Sequence, residues 1–438
     1  MTLQIRTEWA AAPGVTGALE AATWSRMEFQ LGDVVISELL DEHAGTSRRG
    51  FYGSTLPLSE WLVEAWPRLL LEGKVSSPNR PDWREWMGYH HFRAGRQGGA
   101  MPDLRLTRLA PGALQLEAVP DLGKLKPGIH VRFLRAAVAR LDAGQVEREL
   151  ALFVDATCAK IAGSQEPRAI GLRDAWSRAR GDAAVRVLGR LGVDPDCMDP
   201  ADTSALERLL EEEDRELLVD VAEGVQAARL GVRLETARFA VGRAGAGERA
   251  TRRWTELGRK VFDRRAQPWL TGWDAAAKFR AGLGLAGAAA PDRDLGGWLA
   301  DRCGWQNAGN WRRWPSSHRT LDTLHLRRAG EMPVLVSSAS TQKARRFRLA
   351  RSLYYFLFSR PTDQPTAILD GGVLTMERSE ANAFAAELLA PVERLRELEP
   401  EGGQWDCEAV SRAANELCVD NRVIEHQVWN RELGVLRD

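Results

Sequence analysis

Two histidines four residues apart on one helix face, with a glutamate beside the first, can hold a zinc ion and draw a proton from its water. The chain of 438 residues contains no such HExxH run. It also lacks a GxxxxGK[ST] phosphate loop, a GxSxG elbow and a GxGxxG turn following a strand pattern. Its seven histidines are sparse. His90 and His91 are adjacent, and in a strand they would face opposite sides, which suits structural roles better than shared ligation. His318 and His325 lie seven apart, and one helix face could present both, but neither has an acidic or Cys partner at a fixed offset. Arg302 to Arg319, RCGWQNAGNWRRWPSSHR, interleaves arginines with Trp305, Trp311 and Trp314. Arginines on phosphate and tryptophans on bases would suit a single strand, so Arg302, Trp311, Arg312, Arg313 and Arg319 are candidate nucleic-acid contacts. The plainer reading is a Trp-anchored loop packed on its own domain.

The most informative stretch comes later. PVLVSSAS is an apolar, strand-like run, and ARRFRLARSLYYFLFSR, 344–360, follows it. Phe347, Ala350, Leu353, Tyr354 and Leu357 recur there at helical spacing, which predicts a buried helix. About twenty residues on, TMERSEANAFAAELLAPVERL predicts a second helix with Ala381, Phe384, Ala385, Leu388 and Leu389 inward, Ser379 as its cap and Pro391 closing it. CEAVSRAANELCVDNRVIEHQVWN reads as a helix–turn–helix pair.

In this order the segments resemble the ImmA/IrrE family of zinc metallopeptidase-like proteins. RFRLARSLYYFLF, 346–358, is similar to the family's first helix, RFTLAHELGHLLL, and RSEANAFAAELLAP, 378–391, to its second, ExEANxFAAxLLxP. The resemblance covers roughly 290–438 and implies a zincin-like fold in which the two helices converge on one ion. At the HExxH positions stand Arg351, Ser352 and Tyr355. A guanidinium has no lone pair to give a metal and stays charged. Ser352 has no carboxylate to act as base. Arg378 replaces one glutamate of the second motif, beside Glu377, while Glu380 is retained. Which acid completes the family's ligand set stays open. The degenerate pocket, Arg351, Ser352, Tyr355, Arg378 and Glu380, therefore implies no catalytic residue, no metal and no cofactor. Ser352 as a nucleophile has no base that spacing identifies. The expected geometry is Arg351 in the ion's place, paired with Glu380, with Tyr355 adding a hydroxyl donor one turn later.

These residues need a frame. The expected class is α+β: a β-containing N-terminal domain over 1–143, a helical middle over 144–250, and a mainly helical zincin-like domain with a small sheet over 251–438. In the first part, Phe29 to Ile36, DLRLTRL, ALQLEAV and Ile129–Phe133 carry strand patterns. PLSEWLVEAWPRLLLE is an amphipathic helix that Pro67 should kink. The acidic run Glu211–Asp214 reads as a solvated helix face, VGRAGAGERA as a linker and AGLGLAGAAAP as a loop.

Composition bounds the function. Lys and Arg total 60, as do Asp and Glu, so a globally basic nucleic-acid coat is excluded. Locally, residues 251–360 carry 21 basic against 8 acidic groups, while 361–438 carry 7 against 16, so the two stretches attract one another. Five cysteines, none in a CxxC, fit a reducing cytoplasm without disulfides or a zinc finger. No apolar run of 18 residues and no export signal is found, so neither a membrane span nor secretion is expected. The resulting expectation is a bacterial regulatory, sensing or scaffold protein with a protein partner, in a mobile-element or phage-related setting. The alternatives are an active peptidase with an unrecognised metal site and a nucleic-acid-binding regulator using residues 302–360.

Overall fold

The computed structural model describes residues 1–438 except 13, 74–82, 97–98, 111, 123–129, 226, 228, 246–248, 250–266, 286–290, 292, 306–322, 338, 340, 360–364, 371–375 and 437–438. The chain is α+β and divides into two compact units, Met1–Asp199 and Pro200–Asp438.

Period-2 apolar alternation builds the first unit's sheets, all of them antiparallel. Leu3–Trp9 and Phe51–Ser54 flank Trp24–Leu31, which turns at Gly32 into Val34–Val35. Asp103–Ala110, Ala113–Val119 and Ala137–Asp142 form a meander, and Leu39–Asp41 lies between Thr46–Arg48 and Val131–Phe133. Ile129 lies outside the described residues. The Leu56–Leu71 helix runs through Pro67 and buries Leu58, Trp61, Leu62, Ala65, Trp66, Leu69 and Leu70, the stripe read from its spacing. His90 ends the Trp83–His90 helix rather than lying in a strand. Its ring stacks on Trp86 at 4.2 Å, with Nδ1 2.9 Å from the Leu106 carbonyl. His91 meets Asp103 at 3.0 Å, so both histidines are spent on internal bonds.

The second unit opens with helices Pro200–Glu211, Arg215–Gly224 and Leu230–Ala244. The helical stretch 144–250 is thus shared between the two units. The acidic run Glu211–Asp214 lies at the end of one helix and in the turn after it, mostly exposed. The linker and loop expected near 241–250 and 281–291 fall partly on helix ends and partly outside the described residues.

A three-stranded antiparallel sheet follows, with Thr323–Arg327 between Val334–Ser337 and Thr366–Leu369. Leu324, Leu326, Val336 and Ala367 share one face, and His325 with its neighbours takes the other. The Arg215–Gly224 and Leu230–Ala244 helices pack on this sheet. Asp220 Oδ2 accepts the Ala367 amide at 2.9 Å. Gly224 allows an approach to Leu369 so close that a Cβ on it would stand 2.8 Å from the Leu369 Cβ.

The helix expected over 344–360 is the Gln342–Tyr354 helix, continued by a π-helical turn over Tyr355–Ser359. The second helix runs Met376–Leu389 and buries Ala381, Phe384, Ala385, Leu388 and Leu389 as expected. It starts earlier than its cap signal, so Ser379 lies inside it. Pro268–Gly282 packs against it backbone to backbone, because a Cβ on Gly272 would stand 2.2 Å from the Glu380 carbonyl oxygen. The Cys407–Glu416 and Asn421–Asn430 helices close the unit as the expected pair. Among the described residues no helix is long and apolar enough to cross a membrane.

Candidate functional site

The site is a polar seam between a sheet and a helix. Alternation along Thr323–Arg327 sends Thr323, His325 and Arg327 to one face. Register places Ser337 opposite Thr323. The Asp370 amide donates to the Thr323 carbonyl at 2.8 Å, so Asp370 extends the ladder on the other side. All five side chains are buried.

The Gln342–Tyr354 helix and its π turn cover this face with matching polar groups. Arg348 Nη1 donates to Ser337 Oγ at 2.6 Å, and Arg351 Nη2 donates to Asp370 Oδ2. The Tyr355 ring meets the His325 ring edge to face, with centroids 4.9 Å apart. Arg327 Nη1 donates to the Phe356 carbonyl at 2.7 Å, within the turn where the winding widens. His325 Nε2 lies 3.1 Å from the same Asp370 oxygen that Arg351 engages.

The second helix reaches the seam at two points. Arg351 Nη1 donates to Asn382 Oδ1 at 3.4 Å, and the Tyr354 hydroxyl donates to Glu380 Oε2 at 2.5 Å. The charge-assisted pairs tie strand, first helix and second helix together around one carboxylate.

Burial alone would raise the Asp370 carboxyl. Arg351 and then His325 outweigh it and hold the group well below the ordinary carboxylate range. Burial lowers His325, and Asp370 only partly opposes this, so the imidazole is held neutral. Its proton then sits on Nε2, facing the carboxylate, and Nδ1 keeps a lone pair. Burial pushes the Tyr355 phenol far up, with Asp370 adding to it. A phenol so shifted keeps its proton and cannot serve as an anionic ligand.

Arg351, Ser352, Tyr355 and Glu380 are buried, and Arg378 acts on Asp370 and Tyr355 through its charge. The pairing expected for Arg351 is corrected. Its counter-charge is Asp370 of the sheet, not Glu380, because the helix lays Arg351 over the end of the Thr366–Leu369 strand. Glu380 takes its proton donor from Tyr354, which faces the second helix, while Tyr355 turns toward the sheet and its hydroxyl has no partner among the described residues. The Ser352 hydroxyl has none either.

His325 stands in a strand rather than on a helix face, and His318 lies outside the described residues. Asp370 was missed. Its one sequence signal is an acid closing the apolar run TAIL.

Of the candidate nucleic-acid contacts, Arg302 is exposed near the end of the Leu295–Cys303 helix, and Trp311, Arg312, Arg313 and Arg319 lie outside the described residues, as does Trp314. Trp305 belongs to the core. It is 1% exposed and its Nε1 donates to the Pro333 carbonyl at 2.8 Å, so it offers no base a stacking face. Among the described residues no group of three or more His, Cys, Asp or Glu is placed to hold a metal ion. Compared with protein-family models, curated proteins and solved structures, the chain finds no match.

Proposed function

We propose that the second unit is an ImmA/IrrE-like frame in which an internal ion pair stands where the family holds its ion. On this reading the chain is a non-catalytic regulatory, sensing or scaffold protein of the cytoplasm, working through a protein partner. The observation that carries it is the buried Arg351–Asp370 pair with Asn382 of the second helix beside it. In the resemblance Arg351 stands at the first histidine of RFTLAHELGHLLL, and it lies 3.4 Å from Asn382 of the second helix.

The residues present do not fit a zinc ion. A guanidinium repels a dication and has no lone pair for it, Ser352 offers no carboxylate, and Tyr355 is held neutral. Asp370 is not one of the second-helix acids that the resemblance points to, but a buried carboxylate without a counter-charge is costly, and Arg351 supplies that charge without a metal.

The test is elemental analysis of chain purified without chelators, beside a variant restoring the motif, R351H/S352E/Y355H. The native chain is expected to carry no stoichiometric zinc and the folded triple variant to acquire it. Stoichiometric zinc in the native chain would overturn the replacement. A folded triple variant that takes none would overturn the frame.

A further inference from the structure

Five buried polar atoms around the Arg351–Asp370 pair have no hydrogen-bond partner among the described residues. They are Ser352 Oγ, Tyr355 Oη, Asp370 Oδ1, His325 Nδ1 and Arg351 Nε. They belong to one place. His325 and Arg351 both bond the other Asp370 oxygen, the Tyr355 ring lies on His325, and Ser352 is one turn before Tyr355 on the same helix. Leaving one buried polar atom unpaired costs about 1–3 kcal/mol, so five in one cluster call for a guest.

The atoms define its chemistry. Asp370 Oδ1 and His325 Nδ1 can only accept, so the guest must donate. Arg351 Nε can only donate, so the guest must also accept. The two hydroxyls do either. A phosphate or carboxylate would fail at the two acceptors, and a metal ion or ammonium at the arginine. The Asp370 charge is already matched by Arg351, so a cationic guest gains no counter-charge from it.

We propose that this seam is a binding site for small uncharged guests that both donate and accept hydrogen bonds: water, or an amide or alcohol of similar size. At roughly 2–4 partners per buried water, five atoms serve one or two molecules. The guest would lie between sheet and helix, beside the Arg351–Asp370 pair. The seam could then report on its occupant by holding the two elements together. The inference stands on the geometry and names the ligand of the site just proposed to be metal-free.

The experiment is a high-resolution crystal structure of the full chain as purified, with native mass spectrometry of the same sample. Density within hydrogen-bonding distance of at least two of the five atoms is the expected result. Added mass identifies an organic guest, and its absence identifies water. Tyr355→Phe and Ser352→Ala give a second readout. If each hydroxyl holds a guest, each variant melts several degrees lower; if the hydroxyls are truly unpaired, removing them raises the melting temperature. A dry seam, or variants that melt higher, would overturn the proposal while leaving the metal-free reading intact. Stoichiometric zinc in the seam would overturn both.

Discussion

Replacing Arg351 by methionine keeps an unbranched side chain in the seam and removes the charge. The Asp370 side chain is 1% exposed and that of Arg351 8%, so the pair is shielded from water. Breaking one partner of a buried pair leaves an uncompensated charge and costs about 3–5 kcal/mol. At about 2–4 °C per kcal/mol for a unit of this size, the melting temperature should fall by roughly 6–20 °C.

The pH dependence gives a sharper test than the magnitude. In the native chain the folded Asp370 carboxyl titrates below its unfolded value of about 3.9, so its stabilisation is present above that pH and lost as pH falls through the folded value. In R351M the largest lowering influence is gone, so the buried carboxyl holds its proton more readily than in the native chain. The folded state then binds the extra proton, so the deficit should be greatest near neutral pH and shrink on acidification. Urea unfolding of both chains at about pH 5 and about pH 8 measures this. R351M/D370N, which also removes the stranded charge, should recover most of the loss. A deficit under about 1 kcal/mol, or one that grows in acid, would refute the reasoning.

Gly272→Ala should destabilise the second unit despite alanine's better helix propensity, because its Cβ would stand 2.2 Å from the Glu380 carbonyl oxygen and 2.8 Å from the Phe384 amide nitrogen. A lowered urea midpoint checks it. Tyr354→Phe removes the donor to buried Glu380 and should cost about 1.5–3 kcal/mol by the same assay, the range for bonds to charged groups. Trp305→Ala should cost about 3–5 kcal/mol as a core truncation, while leaving any nucleic-acid binding of the folded chain, measured by fluorescence anisotropy, unchanged.

Local periodicity settled much of this protein before any contact was known. The 2-residue alternation of DLRLTRL and ALQLEAV fixes which side chains turn inward, and both segments are strands as expected. The apolar stripe from Leu58 to Leu70 and that from Ala381 to Leu389 are buried as their spacing requires, because helical geometry repeats within a turn or two. The absence of any HExxH run was equally plain, since residue types and their spacing are read directly from the sequence.

Partnership across elements was decided by tertiary structure. Arg351 and Glu380 both belong to segments whose helicity was legible, yet Arg351 pairs with Asp370, 19 residues away at the end of a strand. That choice depends on the register of Thr366–Leu369 against Thr323–Arg327 and on how the covering helix lies over the sheet. Neither is written in any short-range pattern. The same holds for Tyr354 and Tyr355. Consecutive helical positions point about 100° apart, so one hydroxyl meets the second helix and the other faces the sheet. His325 is the clearest case. Spacing linked it to His318, but a strand sends it into a buried seam, where an acid 45 residues further on orients its ring. Charges find their partners where packed layers meet, and sheet register and helix packing set that meeting point over separations that no helical or strand period spans.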